Sequence, residues 1–384
     1  MVGVARLTRV QTQERTRVAV LAAARAEFAE RGYRDGRVDA IAERAELTRG
    51  AVYSNFPGKR ALYLAVLADL VERTQAPPGA RPGRNLEEAL GALARTWVTP
   101  APGGIGRALP PELAGEMADV LGALAGVNAV LLGLAVEGVA GVRWDGPIHT
   151  RRVRLAELVL ALLHGARQLD SLPGGAGAPA AYDVVSACER LAGLVMDDWW
   201  APAEAAVEAS EVDREWAVPE GLVDLVSGKT VASGGGAVPG PGSGAPGGGA
   251  MPSPGSGAVA LSGDGVVAVL GVRRLDAVER VARCGVPVTI ALVTDTPVEV
   301  LPLVRVVVGE LCAAVRVAFP EAAWPEVRLV CDPGGRLATA AGFAESGDMT
   351  EAAALLSDGR VVATAEGTGA VTAVLGTRSL SREG

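Results

Sequence analysis

Residues 45–62 read AELTRGAVYSNFPGKRAL. Within this stretch Thr48, Arg49, Tyr53, Ser54 and Asn55 place hydroxyl, guanidinium and amide groups on one short segment, and Gly50 and Ala51 keep its surface low. Small side chains let a helix approach the floor of the DNA major groove, where groups of this kind read base edges. Arg49 suits a guanine or a phosphate. Lys59 follows at the start of a further helix, where the amide end already favours an anion. On an isolated helix Arg49 would by default be a solvated charge, and Phe56 reads as a core residue.

These residues need two short helices joined by a tight turn. Upstream, RTRVAVLAAARAEFAERGY carries apolar residues at three- and four-residue spacing and stops at Gly32. VDAIAERA predicts a second helix, Thr48 is a good N-cap for a third, and KRALYLAVLADLVERT predicts a long amphipathic fourth. Charge supports a local nucleic-acid contact. Residues 1–60 hold 12 Lys and Arg against 7 Asp and Glu, whereas the whole chain of 384 residues has a formal net charge of −8.

The order AEFAERGY…VDAIAERAELTRGAVYSNFPGKRALYLAVL resembles the DNA-binding domain of the TetR family of bacterial repressors, over about residues 12–70. Tyr53, Phe56, Pro57 and Lys59 match that family's Tyr-x-x-Phe pair and its Pro/Lys turn. The resemblance implies a homodimer on double-stranded, palindromic operator DNA, with the third helix in the major groove. It further implies a helical domain that dimerises and takes a small-molecule inducer of unknown identity. Two positions depart from the pattern. Glu46 stands where the turn usually has glycine, and Gly36-Arg37 replace a Ser/Thr pair, which removes a capping hydroxyl and leaves Arg37 as the candidate for the phosphate contact. The candidate DNA-binding residues are therefore Arg37, Thr48, Arg49, Gly50, Ala51, Tyr53, Ser54, Asn55 and Lys59.

The chain divides into four expected parts: a helix-turn-helix domain at 12–74, a helical ligand-binding and dimerisation domain at 85–226, a Gly/Pro linker at 233–257, and a small α/β domain at 258–376. In the second part the helices near 150–170 and 180–199 are the expected dimer face, through Leu155, Leu158, Leu162, Val184, Leu191, Leu194 and Val195. The apolar stretch 113–140 is expected to line a ligand cavity, with Trp97, Trp144, Trp199 and Trp200 as aromatics of either pocket or core, and His164 as a satisfied core histidine. The linker would span ~25–30 Å if flexible, so the last domain is expected to fold alone and to occupy no fixed place. In that domain AVALSGDGVVAVLG reads as a hairpin turning at Asp264-Gly265.

The last domain resembles a thioredoxin-like or peroxiredoxin-like fold, through DPGGRLA and SDGRVV and their hydrophobic pattern. Where that resemblance implies a CxxC pair, the chain has Thr296-Pro297-Val298-Glu299, and Ala352 stands where it implies a cis-proline. No enzyme activity and no cofactor are expected. The four cysteines are widely spaced and the two histidines lie far apart, so neither a disulfide framework nor a metal site is expected. Residues 120–136 are too short and interrupted to span a bilayer, and no apolar leader is read at the N-terminus, so a cytoplasmic protein is expected. The favoured function is a ligand-released repressor. The alternative is a redox sensor or redox enzyme with a DNA-tethering domain, using Cys312 and Cys331.

Overall fold

The computed structural model describes residues 9–74, 79–99, 109–141, 149–172, 177–194, 206–232, 258–261 and 263–380, together with Ala76, Gly175, Met196 and Trp199–Trp200. Four helices come first: α1 (Arg9–Asp35), α2 (Val38–Arg44), α3 (Arg49–Asn55) and α4 (Lys59–Arg73). The regular part of α1 ends at Gly32, whose φ of 70° lies in the left-handed region that glycine enters without a Cβ penalty. Val20, Ala24 and Phe28 of α1 close on Ile41, Val52 and Phe56, and Phe28 meets Tyr63 of α4 edge-on at 5.0 Å.

A helical body follows: α5 (Leu86–Val98), α6 (Pro111–Glu116), α7 (Ala118–Ala140), α8 (Val153–Asp170) and α9 (Ala181–Leu191). Two short strands, β1 (His149–Thr150) and β2 (Trp199–Trp200), pair antiparallel. α9 thus ends eight residues before Trp199, earlier than its apolar pattern suggests. The expected apolar stretch 113–140 divides between α6 and α7, and α7, 23 residues long, is the one described helix long and apolar enough to cross a membrane. More than half of its most apolar window is buried inside the protein, against α8, α5 and the α/β part.

The remaining elements are β3 (Ser210–Glu215), β4 (Thr230–Ala232), β5 (Ala258–Ala260), β6 (Gly265–Gly271), α10 (Val278–Ala282), β7 (Val288–Val293), α11 (Pro297–Ala318), β8 (Val327–Cys331), α12 (Arg336–Ala341), β9 (Glu351–Ser357), β10 (Arg360–Glu366) and α13 (Ala370–Leu380). The main sheet has the order β3-β10-β9-β6-β7-β8, with β6, β7 and β8 parallel and the other pairs antiparallel. β6 and β7 are buried at every position, as parallel strands covered on both faces require.

Three expectations change here. Residues 206–232 do not belong to the helical body: β3 lies along β10 at the sheet edge, and Leu225 N–H donates to Leu329 O at 2.8 Å. No hairpin turns at Asp264-Gly265, because β5 pairs in parallel with β4 while β6 pairs with β7 and β9. The third change concerns freedom of movement. Thr230 sits opposite Ala258 and Ala232 opposite Ala260, so both ends of the expected linker are pinned side by side within the α/β part. The linker at 233–257 lies outside the described residues.

The α/β part is not an independent unit. α11 packs against α4, α5 and α7, and one apolar cluster runs from Leu64 and Leu93 through Leu132 to Leu303, Leu311, Ile290 and Leu329. Gly138 of α7 lies so close to the turn at 321–323 that a Cβ would come within 2.8 Å of Ala323 Cα. Polar groups cross the same boundary. Arg283 donates both terminal nitrogens to Glu137 at 2.8 Å, Arg167 meets Glu310 at 2.7 Å, and Asn128 donates to Val307 O at 3.1 Å. An expectation of autonomous folding for 258–384 meets this shared core, because removing the segment strips α4, α5 and α7 of an apolar partner.

The Arg283–Glu137 pair is fully buried, and leaving one charge without its partner costs about 3–5 kcal/mol. Arg305 and Glu72, 2.7 Å apart, are both partly exposed. We therefore expect Arg283→Ala to lower the stability of the full chain by about 3–5 kcal/mol and Arg305→Ala by no more than about 1 kcal/mol. Urea unfolding followed by tryptophan fluorescence compares the two. Equal effects would contradict a buried, shared boundary.

Candidate DNA-binding surface

α3 begins on Thr48, whose side chain accepts a hydrogen bond from Ala51 N–H at 3.2 Å, as an N-cap does. Val52 and Phe56 point into the core and anchor the helix, which leaves Thr48, Arg49, Gly50, Tyr53 and Ser54 exposed along its outer face. Ala51 and Asn55 are half-buried. Ser54 Oγ and Asn55 Nδ2 both donate to Ala51 O at 2.9 Å, so these two side chains turn back on their own helix. Arg49 is held by Asp39 at 3.2 Å and by the Tyr53 hydroxyl at 3.4 Å. Its hydrogen bond to that hydroxyl, followed by the charge of Asp39, raises its pKa further, so it remains cationic.

Lys59 Nζ donates to Arg34 O at 2.8 Å and sits 5.0 Å from the centre of the Tyr33 ring. It thereby ties the end of α1 to the start of α4 on the side that carries α3. Arg37 is exposed at the N-cap of α2 and makes no side-chain cap. The missing hydroxyl is replaced from α1: Glu27 accepts from Arg37 N–H at 3.1 Å with one oxygen and from Arg44 at 3.3 Å with the other. Glu27 is fully buried, and its position inside AEFAERGY gives no signal of this role beyond an acid on an otherwise apolar face. Glu46 occupies the turn with φ of 54°, the left-handed conformation that the usual glycine takes freely.

An exposed polar face on a short, capped second helix, fixed to its neighbours by apolar anchors, is a helix-turn-helix DNA-binding domain. Residues 20–66 match the family model of the bacterial regulatory proteins of the tetR family, so this segment is a helix-turn-helix DNA-binding domain of the TetR type, as in DNA-binding transcriptional regulators. Among solved structures the chain is similar to a TetR transcriptional regulator from Rhodococcus sp. RHA1, with 20% identity over 48% of this chain and 99% of that one and a TM-score of 0.28. It is also similar to RolR in complex with resorcinol, with 18% identity over 48% of this chain and 91% of that one and a TM-score of 0.31. Both likenesses are distant. No curated protein matches the chain, and no finding supports a thioredoxin-like identity for the α/β part.

The other candidate residues fall as follows. Leu155 and Val184 face the core, correcting their place on the dimer face, and Leu162 and Leu191 are half-buried. Leu158 and Leu194 are exposed, as are Leu169, Leu172 and Tyr182, while Val195 lies outside the described residues. Trp97 is buried beneath the Arg167 guanidinium at 4.2 Å and acts in packing. Trp199 is exposed, and Trp144 and the side chain of Trp200 lie outside the described residues. His164 meets Trp97 edge-on at 5.1 Å and pairs its Nδ1 with Leu160 O at 2.8 Å, and burial of the ring lowers its pKa, while the rest of the residue reaches the surface. α7 lines a cavity of about 680 Å³ through Val120, Ala123 and Val130, with Leu275 and Val300 of the α/β part forming its other wall. Thr296 caps α11 in position only, without a side-chain hydrogen bond, and Glu299 is paired with Arg60.

Burial pushes the thiols of Cys188, Cys312 and Cys331 up to about 12, and raises that of Cys284. A redox-responsive cysteine needs the opposite shift, toward thiolate. At the turn, we expect Glu46→Gly to raise stability by about 1 kcal/mol by removing the left-handed strain. Operator affinity should not change, as read by thermal unfolding and fluorescence anisotropy side by side. A loss of stability would show that Glu46 makes compensating contacts.

Proposed function

We propose that the protein is a repressor that binds a palindromic operator as a homodimer and is released by a small-molecule inducer. The reading is carried by the outer face of α3, where Thr48, Arg49, Gly50, Tyr53 and Ser54 are exposed together while Val52 and Phe56 hold the helix from behind. On this reading α3 enters the major groove, and Gly50 and Ala51 allow the close approach. Arg49 exchanges Asp39 for a base or a phosphate, and Tyr53, freed from Arg49, reaches the sugar-phosphate backbone. Lys59 and Arg37 flank the groove as phosphate contacts. Ser54 and Asn55 contribute less, because their donors are already engaged with Ala51 O.

Dimerisation is assigned to α8 and α9. Leu158, Leu169, Leu172, Tyr182 and Leu194 are exposed there, more apolar surface than a lone monomer usually shows. A two-fold axis through these helices would set the two α3 helices on successive turns of one DNA face. The protein acts in the cytoplasm, where its operator lies, and no cofactor or catalytic step enters the cycle.

The full chain should bind a palindromic duplex with affinity that falls steeply with salt, because phosphate contacts release counterions. Lys59→Ala should weaken binding about equally across sequences, whereas Arg49→Ala should weaken it and also relax preference at one position by about 1–3 kcal/mol. Anisotropy titrations on a panel of point-altered duplexes read both effects. If both variants bind as the parent does, α3 is not the reading helix. Light scattering of the full chain should give a dimer, and Leu158→Glu with Tyr182→Glu should give a monomer; an unchanged mass for the double variant would remove α8 and α9 as the interface.

A further inference from the structure

We infer that the cleft between the DNA-binding domain and the α/β part is a binding site for a small organic polyanion, one carrying phosphate or carboxylate groups on an apolar body. The cleft has a volume of about 1450 Å³. One wall is α1 and α4, the other is one face of α11 from Pro297 to Val317, the 221–229 segment and the loop after β8. Five basic side chains line it, Arg17, Lys229, Arg305, Arg316 and Arg336, against two acids, Glu72 and Asp224.

The acids are already spent. Asp224 accepts from the amides of Val226, Ser227 and Leu329 and from the Ser227 hydroxyl, all within the fold. Glu72 is paired with Arg305. Lys229 is paired outside the cleft with Glu321, at 3.5 Å. Among the described residues that leaves Arg17, Arg316 and Arg336 without a carboxylate partner. Arg17 lies over the Phe56 ring at 4.8 Å. Arg316 is half-buried, and one of its terminal nitrogens donates to Leu225 O at 2.8 Å and Val226 O at 2.9 Å. Burial pulls the pKa of Arg316 down, and the nearby charges of Cys312 and Asp224 offset this only in part.

Guanidinium groups without an ion pair in a cleft wall favour an incoming anion, and they bind phosphate and carboxylate through paired, charge-assisted hydrogen bonds. The cleft is larger than the usual 300–1,000 Å³ of a ligand pocket and has an apolar floor that includes Val71, Leu301 and Val317. It lies beyond the carboxyl end of the edge strand β8, beside α11. Because Arg17 and Phe56 belong to the DNA-binding domain while Arg316 and Arg336 belong to the α/β part, the occupant would be held by both.

The test uses the full chain without DNA, so its outcome is independent of the operator assignment. Isothermal titration is run with pyrophosphate and ATP as phosphate probes, citrate as the carboxylate probe and spermidine as a cation control. We expect saturable binding of at least one anion and none of spermidine, with the tighter anion naming the group. Arg336→Gln and Arg316→Gln should each weaken binding about tenfold, the loss of one charge-assisted contact, while Arg49→Ala should leave it unchanged. Arg336 is exposed and has no ion-pair partner among the described residues, so its variant decides the matter if Arg316→Gln fails to fold. Failure of all three anions to bind would overturn the site. Binding that survives Arg336→Gln but is lost in Arg49→Ala would overturn it as well, placing the anion on the DNA-reading face.

Discussion

The structure depends on α11 being buried on two sides at once. It is the crossover helix between the parallel strands β7 and β8, and it is also a core helix for α4, α5 and α7. Its sequence, PVEVLPLVRVVVGELCAAVRVA, is apolar around most of its circumference, and twelve of its residues are buried. A helix of that kind needs apolar partners on more than one side. Gly309 faces Val71 of α4, whose side chain lies 3.7 Å from where a Cβ would stand, an ordinary contact. The charged residues that interrupt α11 are placed at the rim, where Arg305 and Glu310 find acids and bases of the other helices.

This arrangement gives α4 a double role. Its first turn carries Lys59 and Arg60, which tie it to the end of α1, to Glu116 and to Glu299. Its middle, from Ala61 to Ala68, is buried in the common core. Any displacement of α11 must therefore be accommodated by α4, and through Tyr63 and Phe28 by the frame that holds α3. The buried Arg283–Glu137–Arg152 group acts in a complementary way. Glu137 accepts from the Arg152 backbone at the start of α8 while it binds Arg283, which fixes α7, α8 and α10 in one register. Ion pairs of this kind add little net stability, but a wrong packing would leave their charges unpaired.

The helix-turn-helix was legible because its signals are local. Thr48 as a cap, Gly32 as a stop and the three- and four-residue spacing of Val20, Ala24 and Phe28 each act within one turn or two. β3 was not legible. Its sequence SEVDRE is polar at nearly every position, as suits an edge strand exposed on most of its length, and only its pairing with β10, some 150 residues later, makes it a strand. The same holds for the boundary itself. Composition showed that residues 233–257 cannot build a core, but composition carries no information about what their two flanks are paired with. At the reading face Arg49 and Tyr53 are exposed, which leaves Phe56 alone of the Tyr-x-x-Phe pair in the core, whereas the inward turn of Asn55 and the burial of Glu27 follow from backbone partners that spacing cannot reveal.

The parallel pairing of β4 with β5 changes what the Gly/Pro-rich tract is. Its two flanks are held in adjacent strands, and the entropy of joining two fixed ends grows only with the logarithm of the length between them. Tracts of quite different lengths would thus serve this fold almost equally. A protease cutting there would not release a domain: the piece ending after β4 and the piece beginning before β5 share the main sheet, through β3 on β10, and the core around α11, so the nicked protein would remain one body.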